Sequence, residues 1–580
     1  MKIIKKLIKM ANFWPIVIVL LFGLLAGRSL ITPGYFIMHD DLQMMRQLEM
    51  EKCFTDGQIP CRWVPDMGYG FGFPLFNFYP PLPYLIGQGV RLLSFSFVDT
   101  AKIVFLLSFL VSGVTMYLLA KEIFKSRLGG IVSAVFYIWA PYHSVDVYVR
   151  GAMNEAWALA WFPLILWTSY RLITEKKKYT GWVIALALSW FALFTSHNLM
   201  VLIFTPVFAG WCLLWLWRSK NLMPGIKYLA YSGFLALGLA AFFTLPAVFE
   251  QKLVHVDTLV VGYYEYIAHF ADTNQLLFSR FWGYGPSIWG ESDGMPFQIG
   301  HIHWITSLLI GIATWLFLKR KKIKINPHIF YIVFYFLIVG WLSLFMAHSR
   351  STPIWQMIPP LKFVQFPWRF LTLSTLSLSF IAGFSVLILK KLLPRRYMLC
   401  AVILTMGLVA FNWNYFLPLG GKMGPLTDEE KFANAAWDLQ RTAGIFDYLP
   451  KGARENPKGG QSVLAEIMEG EGKLSDLRQG TDWAGFKTEA AANKMLVRIN
   501  VFDFPRWKVT LDGKQIEHFI PDTEAWGRMY IEVPEGNHEI YLKLFNTPIR
   551  TVSNMVSLVT WLGLISFPLW RKKMIQLKRG

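Results

Sequence analysis

Apolar runs of roughly membrane-spanning length recur along the chain, separated by short clusters of Lys and Arg. Inside a bilayer every backbone N–H and C=O must find its partner within the protein, so such runs cross as helices. The pattern predicts about a dozen spans: Phe13–Ile31, Ala101–Ala120, Leu128–Tyr142, Ala156–Ile173, Gly181–Ser196, Leu199–Trp217, Lys227–Phe249, His301–Phe317, His328–Met346, Pro367–Lys390, Tyr397–Phe416 and Thr551–Trp570. At about 1.5 Å per residue these reach, or nearly reach, across a hydrocarbon core of about 30 Å. Composition agrees: 54% of residues are hydrophobic and 16% are charged, against about 25% charged in soluble domains.

The formal net charge of +20 would suggest nucleic acid in a soluble protein. Here the cations mark connectors, no basic stripe or base-stacking module is present, and no nucleic-acid partner is expected. The start, MKIIKKLIKM, precedes a run too long for a signal core, which predicts an uncleaved first helix with its N-terminus inside. The apolar segment Phe76–Phe95 opens with Tyr79-Pro80-Pro81-Leu82-Pro83. If it does not span, the basic connectors 121–127, 174–180, 218–227, 319–327, 390–396 and the tail all fall on the side of the N-terminus. The positive-inside rule therefore predicts a re-entrant or surface-lying segment, with both termini cytoplasmic.

The remaining connectors then face outward: a first loop at 32–100, then 143–155, His197-Asn198, about 250–300, 347–366 and 417–550. Domain bounds follow: a membrane domain over 1–417, an extracytoplasmic segment over 418–550, and a last helix with a basic tail over 551–580. From Lys494 the chain alternates like strands, with turns at Asp512-Gly513 and Glu535-Gly536, which predicts a β-sandwich. Glu429–Gln440 reads as a helix. Cys53 and Cys61 share the first loop, and a disulfide or two free thiols both fit. Cys212 and Cys400 lie in apolar runs as small buried residues.

Chemistry-bearing residues gather on the outer connectors. Asp40 and Asp41 stand just past the first span, where a carboxylate can take a proton from an acceptor or can cap the helix that follows. Asp146, Arg150 and Glu155 lie between two apolar runs. Arg150 has the planar fork that matches phosphate, and Asp146 or Glu155 can assist a divalent ion; a salt-bridged turn is the structural alternative. His197 interrupts two spans. Trp368-Arg369 opens another span from outside and suits a headgroup anchor or a second phosphate clamp. The 250–300 loop carries aromatic and polar residues fit for a sugar or for an interfacial belt. His301 and His303 diverge on a helix and are a weak metal pair. No P-loop, dinucleotide fingerprint or H-E-x-x-H is present, a divalent metal ion stays open as a cofactor, and no metal ligands are assigned.

The stretches HDDLQMMRQ, GQIPCRWVPDMGYGFGFPLFNFYPPLPY, VDVYVRGAMNEAWALAWFPL, LFTSHNL, QFPWRFL, WKVTLDGK and VPEGNHEIYLKLF together resemble a group of bacterial polytopic membrane proteins labelled "6-pyruvoyl-tetrahydropterin synthase-related". Nothing in them suggests pterin chemistry. The group resembles the GT-C glycosyltransferases, which have many spans, an essential acid in a large first outer loop, and polyprenyl-phosphate sugars as donors. The resemblance implies a GT-C-like helical domain in the bacterial plasma membrane. It also implies transfer of a sugar from a polyprenyl-phosphate donor to an unknown extracytoplasmic acceptor. The first-loop acid falls on Asp40 or Asp41, and the second-loop acid on Asp146 or Glu155. Substrate would be held by Asp146, Arg150, Glu155, His197, Trp368 and Arg369. The second loop lacks the D-x-D or E-x-D spacing that some relatives use for metal. Two alternatives compete: a lipid-linked glycan transporter, or a non-enzymatic envelope-polymer binding or assembly protein.

Overall fold

The computed structural model describes residues 2–175, 179–219, 222–290, 293–320, 327–443, 446–491 and 494–577. Parts of the basic connectors, at 176–178, 220–221 and 321–326, lie outside the described residues. The chain divides into two compact units. One comprises Met1–Gln43, Leu93–Ala236 and Val260–Leu426; the other comprises Met44–Leu92, Leu237–Leu259 and Thr427–Gly580. The long first loop is thus shared, with its acidic start in the first unit and the rest in the second.

Among the described residues, eight helices are long and apolar enough to cross a membrane. The expected spans all fall on helices, with corrections. The span expected over Leu128–Tyr142 is a helix of 12 residues, Arg127–Ile138, which is about 18 Å long and too short to cross alone. Pro141 then starts a new short turn, Pro141–Ser144. Tyr179–Phe194 has 16 residues. In the first span, helix Lys2–Ala26 is interrupted at Gly27 before Arg28–Ile31. The segment expected to lie along the membrane holds the end of the four-residue helix Leu75–Phe78 and the ten-residue helix Leu82–Arg91, the latter about 15 Å long.

In the first unit, helix Phe97–Phe124 packs on Arg127–Ile138 and Met153–Thr174. Ser96 caps it by accepting from the Asp99 amide at 3.0 Å, and Lys125 closes it in the left-handed region. The stretch Pro367–Leu392 is almost wholly buried within the protein. Apolar side chains in lipid gain little from leaving it, so helices there associate by close backbone approach. Gly383 shows this: a Cβ would stand 2.3 Å from the Gly129 carbonyl oxygen and 2.3 Å from Ser133 Oγ. Ser133 Oγ itself donates to the Phe380 carbonyl at 2.7 Å.

The second unit carries eight strands: β1 (Ala465–Glu469), β2 (Gly472–Gln479), β3 (Trp483–Ala490), β4 (Met495–Phe502), β5 (Trp507–Leu511), β6 (Lys514–Ile516), β7 (Arg528–Val533) and β8 (Gly536–Leu544). They form antiparallel sheets in the orders β1-β4-β7 and β2-β3-β8-β5-β6. Alternate residues are buried, among them Val497, Ile499, Ile531, Val533, Ile540 and Leu542. Asp512 and Gly513, both at positive φ, make the two-residue turn between β5 and β6. Strands β1 to β3 were not expected. The helix expected over Glu429–Gln440 is two short ones, Asp428–Lys431 and Asn434–Thr442.

Cys53 and Cys61 form a disulfide. The Gly-rich run after it is a tight turn against Trp63, where a Cβ on Gly72 would lie 2.4 Å from the indole nitrogen. A buried polar hub ties this unit together. Glu250 accepts from Arg550 Nε at 2.8 Å, Asn77 Nδ2 at 2.9 Å and Thr547 Oγ1 at 2.5 Å. Arg62 joins the hub by donating to Asn77 Oδ1 at 3.0 Å and Asn554 Oδ1 at 2.6 Å. Glu250 is 3% exposed and Arg550 2%. Removing one partner of such a pair leaves an uncompensated buried charge, at a cost of about 3–5 kcal/mol. Glu250→Ala is therefore expected to lower the thermal midpoint of the purified protein clearly; a midpoint equal to wild type would show that the hub contributes nothing.

Candidate active site

Lys102, buried on helix Phe97–Phe124, donates to the carbonyls of Thr32 at 2.8 Å and Gly34 at 3.0 Å. This pins the chain as it leaves the first span. The segment then lies against the turn 145–151: the His39 amide donates to the Val149 carbonyl at 3.0 Å, and the Asp40 amide to the Arg150 carbonyl at 2.9 Å. Gln43, 1% exposed, donates to Asp40 Oδ2 at 3.1 Å and to the Gly151 carbonyl at 2.8 Å. The close approach needs glycine at 151, whose φ is +62° and where a Cβ would sit 2.2 Å from Met38 Sδ. Asp40 and Asp41 are both part-buried, and His39 Nε2 meets the Tyr284 carbonyl at 2.9 Å.

Beyond Arg150 lies a set of buried charges. The stretch Val145–Val149 is a single π turn, a widened geometry often found at functional sites. Arg150 reaches Asp146, Tyr142 Oη (3.2 Å) and Glu155 Oε2 (2.8 Å) through Nη1. Tyr142 donates to Glu155 Oε1 at 2.8 Å. Arg369 Nε lies 3.5 Å from Glu155 Oε2 and His197 Nε2 lies 4.0 Å from it. Glu155 thus collects two guanidiniums, an imidazole and a phenol. The Arg150 guanidinium stacks 4.4 Å above the Trp368 ring, which is held by Ser287 Oγ at 3.0 Å. Arg369 Nη1 also donates to the Val364 carbonyl at 2.7 Å and to Gln365 Oε1 at 3.0 Å.

Burial sets the protonation of two members. The His197 ring is pushed down to about 3 by burial, against the pull of Glu155 and with the two arginines adding to the effect. Its Nδ1 accepts from the Leu199 and Met200 amides, so the neutral ring directs Nε2–H toward Glu155. Burial pushes the Asp146 carboxyl well above the carboxylate range, Glu155 adds to this, and Arg150 opposes it.

All eight residues named for the site fall in the first unit, and seven of them, all but Asp41, form one connected set. Asp40 joins it through the backbone of Arg150; Asp146, Glu155 and Trp368 through the Arg150 side chain; His197 and Arg369 through Glu155. The arginines expected to face phosphate face carboxylates in this arrangement. The carboxylates considered for a divalent ion face guanidinium, so this donor set does not fit a cation. Among the described residues no group of three His, Cys, Asp or Glu is gathered as a metal set. His301 and His303 bond to the Phe278 and Phe136 carbonyls. Tyr142, Gln43, Lys102 and Gly151 were missed as members. Tyr142 and Gly151 flank the charged turn in the sequence, which was the available signal.

These features define a multi-pass helical membrane protein with a charged, ion-paired site beside one of its connectors. The family model described as "6-pyruvoyl-tetrahydropterin synthase related domain; membrane protein" matches residues 76–417, more than half of the chain, and the chain belongs to this family. The match includes Asp146, Arg150, Glu155, His197, Trp368 and Arg369, and begins after Asp40 and Asp41. A curated uncharacterized protein of Lactococcus lactis subsp. cremoris (strain MG1363) is 22% identical over 253 residues, which are 42% of this chain and 41% of that protein. The chain thus spans about two fifths of the length of that relative. Among solved structures, a cryo-EM structure of the arabinofuranosyltransferase AftD from Mycobacteria is similar with a TM-score of 0.40 and 14% identity, over 71% of this chain and 28% of that one.

Glu155 balances both guanidiniums, so its removal should leave them facing each other in a dry site. Glu155→Ala is expected to lower the thermal midpoint more than Arg369→Ala does. The double variant Glu155→Ala/Arg369→Ala should be less destabilised than the sum of the two. Strict additivity in that cycle would mean that the ion pair carries no coupling.

Proposed function

We propose that this protein is a membrane glycosyltransferase that moves a sugar from a polyprenyl-phosphate donor to an acceptor on the extracytoplasmic side of the membrane. The observation that carries the reading is the hydrogen bond from the Asp40 amide to the Arg150 carbonyl. It sets a part-buried carboxylate beside a cluster of guanidiniums just beyond a membrane span.

In this reading Asp40 accepts the proton of the acceptor hydroxyl as that oxygen bonds to the anomeric carbon. The bond from the anomeric carbon to the phosphate oxygen breaks, and polyprenyl phosphate leaves with the electron pair. With Asp146 pushed toward its neutral form, the set presents Arg150 and Arg369 against Glu155 alone. That excess of positive charge favours the developing phosphate anion. Gln43 orients the Asp40 carboxylate, and Trp368 holds the Arg150 plane. Asp41 stands beside the base and supports its negative field. The positive-inside rule supports an extracytoplasmic position for the site.

The test is transfer by the purified protein from a panel of polyprenyl-phosphate sugars. Wild type should turn over at least one donor, and Asp40→Asn should lower the rate about 10²–10⁴-fold, the range for loss of a general base. Asp41→Asn should cost less. Equal rates in wild type and Asp40→Asn would remove Asp40 from the chemistry. Donor binding without turnover by the wild type would favour a lipid-linked glycan transporter.

A further inference from the structure

Residues from 272–290 and 293–298 of the first unit line an open cavity of about 360 Å³. This lies near the lower end of ligand-site volumes, about 300–1,000 Å³, and leaves room for one sugar ring. Its polar wall is organised from within. The Gln275 amide donates to Asp272 Oδ1 at 2.8 Å, Asp272 N donates to Gln275 Oε1 at 2.9 Å, and Gln275 Nε2 donates to Asp293 Oδ2 at 3.0 Å. Gln298 is held by donating to the Phe281 carbonyl at 3.1 Å. The Phe281 ring is 51% exposed and offers an apolar face of the kind on which the C–H side of a sugar rests. Phe297 closes another wall, with its ring 6.1 Å from Trp368. Trp368 in turn carries the Arg150 guanidinium. The cavity therefore lies one aromatic layer from the charged site.

The charges of the lining are one-sided. Asp272 and Asp293 line the cavity and, among the described residues, no Lys, Arg or His does. A phosphate or a uronic acid would meet carboxylates with no counter-charge. Hydroxyl and ammonium groups would meet acceptors already held in place. The cavity differs in this from the site at Arg150 and Arg369, where guanidiniums face the carboxylates.

We propose that this cavity is a subsite for one non-acidic sugar residue, bound through its hydroxyl or ammonium groups by Asp272 and Asp293 and stacked on Phe281. Its role as the acceptor end rests on the transferase reading; the chemistry of its ligand does not. The two ends of the reaction would then be sorted by charge, with phosphate at the arginines and a neutral or amino sugar at the carboxylates.

The experiment is calorimetric titration of the purified full chain, in lipid nanodiscs, with three matched disaccharides: one ending in a hexosamine, one in an N-acetylhexosamine and one in a uronic acid. The first two should bind and the uronic acid should bind at least about tenfold more weakly, a difference of about 1.4 kcal/mol. Asp293→Asn and Phe281→Ala, each checked for an unchanged thermal midpoint, should weaken the hexosamine about tenfold. The titration contains no donor, so binding is read whether or not transfer occurs, which separates this proposal from the transferase reading. Uronic acid bound as tightly as the hexosamine, no binding of any of the three, or wild-type affinity in both folded cavity variants would overturn it.

Discussion

The arrangement around Glu155 rests on the cost of charge in a dry environment. Asp146 and Glu155 are at most 1% exposed and Arg150 is 7% exposed. An ion of this size placed alone in such surroundings carries a penalty of several kcal/mol, so each must face an opposite charge. The turn 145–151 is shaped by that requirement. Its π turn bonds the Arg150 amide to the Val145 carbonyl at 2.8 Å, and Arg150 and Asp146 meet as side chains. The backbone of Arg150 and Gly151 is then left to receive the first loop. The ion cluster and the docking of Asp40 are therefore one structure: the side chains face the buried charges while the carbonyls accept from Asp40 and Gln43.

The same economy recurs around Glu250, with a different outcome. There Arg550, Asn77 and Thr547 converge on one carboxylate, and Arg62 extends the network. Its members come from the first loop, the end of an apolar helix and the start of the last helix. It works as a clasp for segments far apart in the chain. The Glu155 set differs in containing a neutral imidazole, a carboxyl pushed toward its neutral form and an arginine stacked on an indole. A buried imidazole and a carboxyl with protonation shifted by burial are the pattern expected where a site is kept for chemistry.

Much of this was legible from the residues, for a physical reason. Apolar length and the placement of cations are one-dimensional signals, and a bilayer reads them directly. So the helices follow from the sequence, as do the strands from Met495 on, where Val497, Ile499 and Val501 alternate with less apolar residues. Strand β2 escapes because its side chains are largely charged and exposed; the pattern GKLSDLRQ has no buried face to announce it. Strand β3, WAGFKTEA, is mostly buried but carries small and charged residues in place of a β-branched run. The short helix Arg127–Ile138 escapes because Pro141 acts by ending a helix, and apolar count does not register it. In the site, charged residues near spans were visible as costly exceptions. Their pairing was not, since Glu155 and Arg369 lie more than two hundred residues apart and only the fold selects that partnership over a contact with ligand.

The separation of charge within the first unit has a further consequence for how substrates could enter. Trp368 lies between two regions of opposite sign, with Arg150 on its ring and Phe297 beside it. An indole can serve both sides because its face attracts cations and its edge packs against an apolar wall. Replacing it with an aliphatic residue would keep volume but remove the stack that holds the Arg150 plane, and it would leave Ser287 without its donor. A polar residue would admit water between the carboxylates of the cavity and the guanidiniums. The charge distinction between the two regions would then be screened, since the Coulomb energy of a pair falls in proportion to the rise in dielectric. The aromatic layer thus does for the site what the bilayer does for the helices: it keeps water out of the space where opposite charges must stay distinct.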